Sequence, residues 1–459
     1  MNEDGKRLLL HCLAESYGVN HMEVRNHAES LLSIDHLDDA SNLFNEEQLR
    51  NALTPSYSWL FGLIGRRNGG VKFLADLRGD LLAYIPHCCV DINLSARLRA
   101  MATSLRDVLS QWFHVGLLKV ERVTWQSGCD ILQKVSEYES VHPMRNWTDL
   151  KRRVGLFRRC FVFTHSSMPR EPIVVLHVAL TNEISSSIQK ILTQNQKGSS
   201  NDSSESSEDD EVNVSTAIFY SISSTQVGLQ GIELGTYLIK SVVKELRNEF
   251  PDMDKFSSLS PIPGFSSWLS SQIHKAMRVS NTVLSQAEIK ALQTHLKLEN
   301  KDELWKTLLK LLNTNQWIKD DKIVDILEIP LMRLCAFYLF SEKRRGLALD
   351  NVANFHLRNG AVMWRLNWRA DLTPRGVGNS CGIMVNYRYY LEECEENSRK
   401  YLEECFIKST DQIKQLVELH REVIAQQAIE KSQNVFQKAL EKSQAMIDSM
   451  EKNNGNNKK

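Results

Sequence analysis

Two stretches carry residues with chemistry to offer. The first is Thr225-Gln226-Val227-Gly228-Leu229-Gln230-Gly231-Ile232-Glu233-Leu234-Gly235-Thr236, which follows an apolar run from Ala217 to Ser223 and precedes a helical pattern. A glycine-bearing loop that opens into a helix gathers free backbone N–H groups at the positive end of the helix dipole, a natural seat for phosphate or pyrophosphate. The second stretch, Phe256 to Phe265, reads as a strand and a rigid turn in which Ser260 stands beside Pro261-Ile262-Pro263. The fixed dihedrals of the prolines hold its hydroxyl still. Together the two stretches predict a phosphate-bearing acyl carrier gripped at the loop, with chemistry near the serine. Each also has a plainer reading: many strand-to-helix turns need glycine for steric reasons, and a serine ahead of proline commonly bonds its own backbone.

Composition bounds the rest. With 459 residues and 42% hydrophobic content the chain has room for two or three domains with a sizeable core. Lys plus Arg equals Asp plus Glu at 56 each, so global charge points to neither nucleic acid nor an anionic membrane as partner. A local basic run, Lys151-Arg152-Arg153 with Arg158-Arg159, suits either phosphate groups or a solvated face. Nine cysteines, with the adjacent pair Cys88-Cys89 and no CxxC, fit neither a disulfide framework nor structural zinc. A reducing compartment follows. His11, His21, His27 and His36 are too scattered to suggest a metal. No apolar run approaches the ~20 residues that span a bilayer. The first residues lack a leader's bias and the last three are not a peroxisomal signal, so the cytoplasm is the expected compartment, with mitochondrial or peroxisomal placement as the alternative.

The elements that must position these residues follow from periodicity. Residues 1–116 read as a helical bundle, with stripes at Leu74, Leu77, Leu81, Leu82 and Ile85 and at Leu94, Leu98, Met101, Leu105, Leu109 and Trp112, the second closed by Gly116. Such a bundle suits scaffolding or oligomerisation. From 117 the texture turns to strands: Cys160–His165 and Ile173–Leu180 around a polar connection, then Ala217–Ser223. Between them the acidic, serine-rich 197–212 lacks the apolar residues to offset ordering entropy and is expected to be a disordered surface loop. Leu234, Leu238, Val242, Leu246 and Phe250 stripe a helix ended by Pro251. Residues 267–345 read as a helical insertion, with a capping box at Ser285 to Glu288. Strand signals resume at Val352–Leu357, which holds His356, and at Val362–Trp368, and a last helical stretch runs into a polar helical tail at 426–459. The expected fold class is α+β.

Gln230 to Gly235 resembles the coenzyme A loop of the GNAT acyltransferase superfamily, with Glu233 in place of its first glycine. A wider set of motifs resembles the malonyl-CoA decarboxylase family over residues 5–425. These are Val141-His142-Pro143-Met144-Arg145-Asn146-Trp147, Phe219-Tyr220-Ser221-Ile222-Ser223, Gln230 to Thr236, Leu259-Ser260-Pro261-Ile262-Pro263-Gly264-Phe265, Asn354-Phe355-His356-Leu357-Arg358-Asn359-Gly360-Ala361 and Met384-Val385-Asn386-Tyr387-Arg388-Tyr389. The resemblance implies a helical N-terminal domain that mediates oligomerisation (1–116), as a homo-oligomer of tetramer type, and a GNAT-like mixed α/β catalytic domain with a helical insertion (117–425). It implies malonyl-CoA as substrate, no metal and no organic cofactor. It further implies Ser260 and His356 as the catalytic pair. Substrate contacts would come from Gln230, Gly231, Ile232, Glu233, Leu234, Gly235 and Thr236, and from Tyr389 near the malonyl group.

The chemistry supports this economy of parts. Loss of carbon dioxide from a malonyl thioester leaves electrons that delocalise into the thioester carbonyl, so the substrate is its own electron sink. The protein must stabilise the enolate oxygen and then protonate carbon. The expectation is that Ser260 orients the malonyl carboxylate or thioester oxygen and His356 donates the proton, with the reverse polarity for Ser260, as acceptor, left open. A histidine in an apolar strand is also a common structural residue, and a tyrosine in a Tyr-rich strand a common core one. Two other readings remain at this level: an acyl-CoA-dependent N-acyltransferase, and a non-catalytic coenzyme A-binding scaffold.

Overall fold

The computed structural model describes residues 2–33, 39–88, 90–113, 117–193, 214–232, 235–278 and 283–456. The acidic serine-rich stretch 197–212, Gly116, His36, Glu233 and Leu234 lie outside these residues. The chain forms two compact units, one of Met1–Val178 with Ser221–Glu249 and one of Ala179–Tyr220 with Phe250–Lys459.

The first unit opens with six helices: α1 (Glu3–Ser16), α2 (His21–Leu32), α3 (Asp39–Ala52), α4 (Ser56–Gly65), α5 (Gly70–Tyr84) and α6 (Ile92–Trp112). Side chains of Asn2, Asn20 and Asp91 cap α1, α2 and α6. The expected stripes face inward: Leu74, Leu77 and Leu81 on α5 and Leu94, Leu98, Met101, Leu105 and Leu109 on α6 are buried. α6 ends at Trp112 with Phe113 as its cap.

β1 (Lys119–Val123) pairs antiparallel with β2 (Arg158–Thr164), across α7 (Cys129–Tyr138) and α8 (Trp147–Arg153). Val123, Leu132, Val135, Leu150, Cys160, Val162 and Val175 form the core here. β2 and β3 (Val174–Thr181) are buried along their whole length, which is why Cys160–Phe163 and most of Val174–Leu180 read in the sequence as apolar with little alternation.

β3 and β4 (Thr216–Ser224) each change unit partway along. The sheet has seven strands in the order β1-β2-β3-β4-β5-β9-β8, with β5 (Lys255–Ser258), β8 (Val362–Asn367) and β9 (Met384–Tyr389). β4 and β5 are parallel, while β5–β9 and β9–β8 are antiparallel. α9 (Ile188–Thr193) and α10 (Gly235–Glu249) complete the connections between β3 and β5.

In the second unit, α11 (Phe265–Arg278), α12 (Gln286–Leu296), α13 (Lys301–Asn313) and α14 (Asp321–Phe340) make the helical insertion, and the capping box between Ser285 and Glu288 is formed. The short hairpin of β6 (Lys343–Arg344) and β7 (Leu347–Ala348) leads to α15 (Asn351–Arg358). α16 (Pro374–Ser380), α17 (Cys394–Glu404) and α18 (Asp411–Asn456) close the chain. α18 is one helix across the expected tail boundary, and its inward face carries Ile413, Val417 and His420. No helix among the described residues is long and apolar enough to cross a membrane.

Candidate active site

Ser260 lies two residues beyond β5 on backbone that still pairs with β9. Its N–H donates to Val385 O at 2.8 Å and its O accepts from Val385 N at 3.0 Å. Leu259 and Ile262 on either side are fully buried, so packing and hydrogen bonds fix the turn as well as its prolines.

His356 comes from a helix, a correction to the strand expected at Val352–Leu357. The alternation there is real, but Asp350 Oδ1 accepts from Val352 N at 3.0 Å and Ala353 N at 2.9 Å and starts α15. Ala353, His356 and Leu357 then share its buried face at helical spacing.

The two residues meet inside the second unit. His356 Nε2 is 2.9 Å from Ser260 Oγ, and His356 Nδ1 is 2.6 Å from the Tyr389 hydroxyl. Ser260 Oγ donates to Ser258 Oγ at 2.8 Å, which also accepts from Tyr387 N at 3.3 Å. The Tyr387 ring stacks on the imidazole with centroids 4.6 Å apart and planes 16° from parallel. None of Ser258, Ser260, His356, Tyr387 and Tyr389 is more than 4% exposed. With the Ser260 hydrogen directed at Ser258, the bonds close into one chain when Tyr389 donates to Nδ1 and Nε2–H donates to Ser260 Oγ.

Burial sets the charges. It pushes the His356 imidazole down to about 3 and the Tyr389 phenol up, so both are neutral near pH 7. The pair is therefore a dry, uncharged chain of hydrogen bonds that can hold or hand over a proton at Nε2 and Oγ. Tyr389, expected beside the malonyl group, has its hydroxyl on the imidazole.

The glycine loop belongs to the first unit. Residues Val227–Leu229 form a 3₁₀ turn, Gln230 N donates to Val227 O and Ile232 N to Leu229 O, both at 3.1 Å. Gly231 has φ +79°, a left-handed conformation that favours glycine. Gly228 lies against α5 so closely that an added Cβ would sit 1.7 Å from Ala75 O. Arg78 on the same helix is buried, and its Nη1 donates to Gly228 O at 2.5 Å. Gly235 and Thr236 open α10, whose N-terminus follows the loop. Arg78 had no signal in the sequence, since the bond joins positions 150 residues apart.

The basic run divides. Arg153 is buried, donates to His142 O at 2.5 Å and lies 3.6 Å from the Glu139 carboxylate. Arg159 pairs with Glu249 at 2.5 Å. Only Lys151 and Arg152 face solvent. Glu139 also accepts from Val141 N and His142 N at 2.8 Å and from the Ser221 hydroxyl, and His177 Nε2 lies 3.3 Å away. This carboxylate shapes the start of the 141–147 motif.

Comparison with known proteins points to one family. A family model described as the malonyl-CoA decarboxylase C-terminal domain matches residues 116–429, and one described as the N-terminal domain of the same family matches residues 17–113. The chain is 47% identical over 396 residues to a mitochondrial malonyl-CoA decarboxylase of Anser anser anser, spanning 85% of this chain and 75% of that protein. It is 48% identical over 395 residues to the Rattus norvegicus protein of the same name, spanning 85% and 77%. Among solved structures it resembles malonyl-CoA decarboxylase from Rhodopseudomonas palustris, with TM-score 0.74, 31% identity and coverage of 90% and 91%. The Agrobacterium vitis protein matches with TM-score 0.70, 29% identity and 91% coverage of each chain.

Proposed function

The chain belongs to the malonyl-CoA decarboxylase family, and we propose that Ser260 and His356 carry its chemistry. It is a carboxy-lyase that converts malonyl-CoA to acetyl-CoA and carbon dioxide. The observation that supports the pair is the 2.9 Å contact between Ser260 Oγ and His356 Nε2 inside a buried, neutral hydrogen-bond chain.

In the reaction the bond from the malonyl carboxylate to the α-carbon breaks. Its electron pair moves into the thioester carbonyl, and carbon dioxide leaves. Ser260 turns its hydroxyl from Ser258 to the substrate carboxylate or thioester oxygen. His356 Nε2–H then protonates the α-carbon of the enolate, and the imidazole regains its proton from water after product leaves. A neutral imidazole is a weak acid, but the enolate is a strong base, and a donor uncharged at rest suits so dry a setting. The buried, neutral surroundings also solvate the substrate carboxylate poorly, while carbon dioxide carries no charge to lose. The stretch Gln230 to Thr236, which leads into α10, receives the coenzyme A phosphates on those of its backbone N–H groups that the turn leaves free, the N–H groups of Gln230 and Ile232 being taken by Val227 O and Leu229 O.

Purified protein given malonyl-CoA should release carbon dioxide and acetyl-CoA in equal amounts. Turnover only with an added amine would favour the acyltransferase reading, and none under either condition the scaffold. His356→Ala should lower kcat at least about a hundredfold with coenzyme A affinity little changed; retained activity would remove it from the mechanism.

The reaction sets the malonyl-CoA level and through it the balance of fatty acid synthesis and oxidation. The relatives' names support the mitochondrial alternative over the cytoplasm, which imaging of the tagged endogenous protein tests. Kinship also supports a homo-oligomer, of tetramer type, testable by light scattering.

A further inference from the structure

Asp350 is a carboxylate shared by the starts of two helices. Its Oδ1 accepts from Val352 N at 3.0 Å and Ala353 N at 2.9 Å at the head of α15. Its Oδ2 accepts from the Tyr338 hydroxyl at 3.4 Å and lies against Gly264, where an added Cβ would sit 3.7 Å from it and 2.2 Å from the Tyr338 hydroxyl; the Tyr338 ring in turn packs on Phe265 and Trp268 of α11, with centroids 6.0 and 5.4 Å apart. Gly264 heads α11, where its own O accepts from Trp268 N at 3.1 Å. Asp350 is only 2% exposed. Burial pushes its carboxyl up, and the donors around it work in the opposite direction.

The two helices are the ones next to the catalytic pair. α15 carries His356, and Gly264 follows Ser260 across the stiff Pro261-Ile262-Pro263 turn. Ser260 and His356 are 96 residues apart in the chain, with α11 to α14 between them. A helix cap needs only one oxygen on one helix. The engagement of the same buried group with the segment after Ser260 joins the two.

We propose that Asp350 is a positioning residue for decarboxylation, holding the heads of α11 and α15 together and so fixing Ser260 Oγ against His356 Nε2. It touches neither of these atoms. Its effect is geometric, because a shift of about 1 Å between the segments is enough to take the pair out of hydrogen-bond reach and out of productive alignment.

The proposal rests on Ser260 and His356 being the catalytic pair, and the test separates the two ideas. Asp350→Asn keeps an oxygen for α15 but turns an amide NH₂ towards Gly264 and the Tyr338 hydroxyl. A matched control is Asp320→Asn at the head of α14, where Asp320 accepts from Lys322 N and Ile323 N. With folding checked by circular dichroism and urea midpoint, Asp350→Asn should lower kcat about tenfold or more and leave KM within about twofold. Asp320→Asn should leave both unchanged. A folded Asp350→Asn with kcat within about twofold of wild type, or a control that loses kcat equally, would overturn the proposal. Should Asp350→Asn not fold, Asp350→Ser, which can cap α15 without reaching Gly264, is judged by the same criteria. His356→Ala is assayed alongside: if it keeps its rate, the catalytic reading fails, whereas an inactive His356→Ala with a fully active Asp350→Asn sinks the positioning role alone.

Discussion

His356 shows how burial decides what a side chain can do. Its pKa falls from the usual 6.5 to about 3, so no imidazolium titrates in the working range. The pH dependence of kcat/KM should have no acid limb near 6.5, and a limb there would contradict a neutral His356. Stability carries the same signature. Below 6.5 the unfolded chain takes up a proton that the folded chain refuses until about 3, so stability is lost as pH falls from 6.5. Between pH 7 and 5 this amounts to up to about 2 kcal/mol, and His356→Gln should lose that much less than wild type in urea titrations at the two pH values. Tyr389 makes a separable prediction. Because its hydroxyl lies 2.6 Å from Nδ1, Tyr389→Phe should lower kcat about tenfold or more through a misoriented imidazole, with KM unchanged. A raised KM with kcat intact would instead return Tyr389 to the malonyl group.

Elements explain which parts of this were legible beforehand. The glycine loop, the serine turn and the helix between them could be read because each depends on neighbouring residues: glycine where φ is positive, proline where a turn is stiff, a repeat of four where a helix buries one face. α15 was misread for a local reason. Six residues with strand-like alternation became a helix once Asp350 supplied a cap two residues ahead of Val352. Arg153 was illegible for a different reason, since its partners Glu139 and His142 are fixed only by folding. Removing one member of a buried pair leaves an uncompensated charge, so Arg153→Ala should destabilise by about 3–5 kcal/mol, read as a lower urea midpoint. A change below about 1 kcal/mol would mean that Glu139 is satisfied by its N–H and hydroxyl donors without the guanidinium. Tyr387, stacked on His356, could have been found only through its register on β9 beside Tyr389.

At the scale of the molecule, the family match ends at residue 429 while α18 runs on to Asn456. Among the described residues, the last bonds from this helix to the rest of the chain are those of Gln427 to Leu284 O and of Gln286 to Glu430, and Phe436 beyond them is 67% exposed. A chain ending at Ser432 should therefore keep its kcat and lie within about 1 kcal/mol of full-length stability; a large loss of either would give the end of α18 a role that these contacts do not. Composition marked where helices give way to strands near residue 117, but a strand shared by two units leaves no mark in composition, because it is as apolar in one unit as in the other.

That sharing has a consequence for how the protein is made. The units alternate along the chain: the first claims Met1–Val178, the second Ala179–Tyr220, the first again Ser221–Glu249, and the second the remainder. During synthesis the second unit is thus begun before the first is finished. A nascent chain that has reached Glu249 has made β4 but not β5, its parallel partner, and so presents an unpaired edge of buried-type residues. Neither unit can be expressed as one continuous fragment, and the vulnerable interval in the protein's life is the time taken to translate from Ser221 to the end of β9.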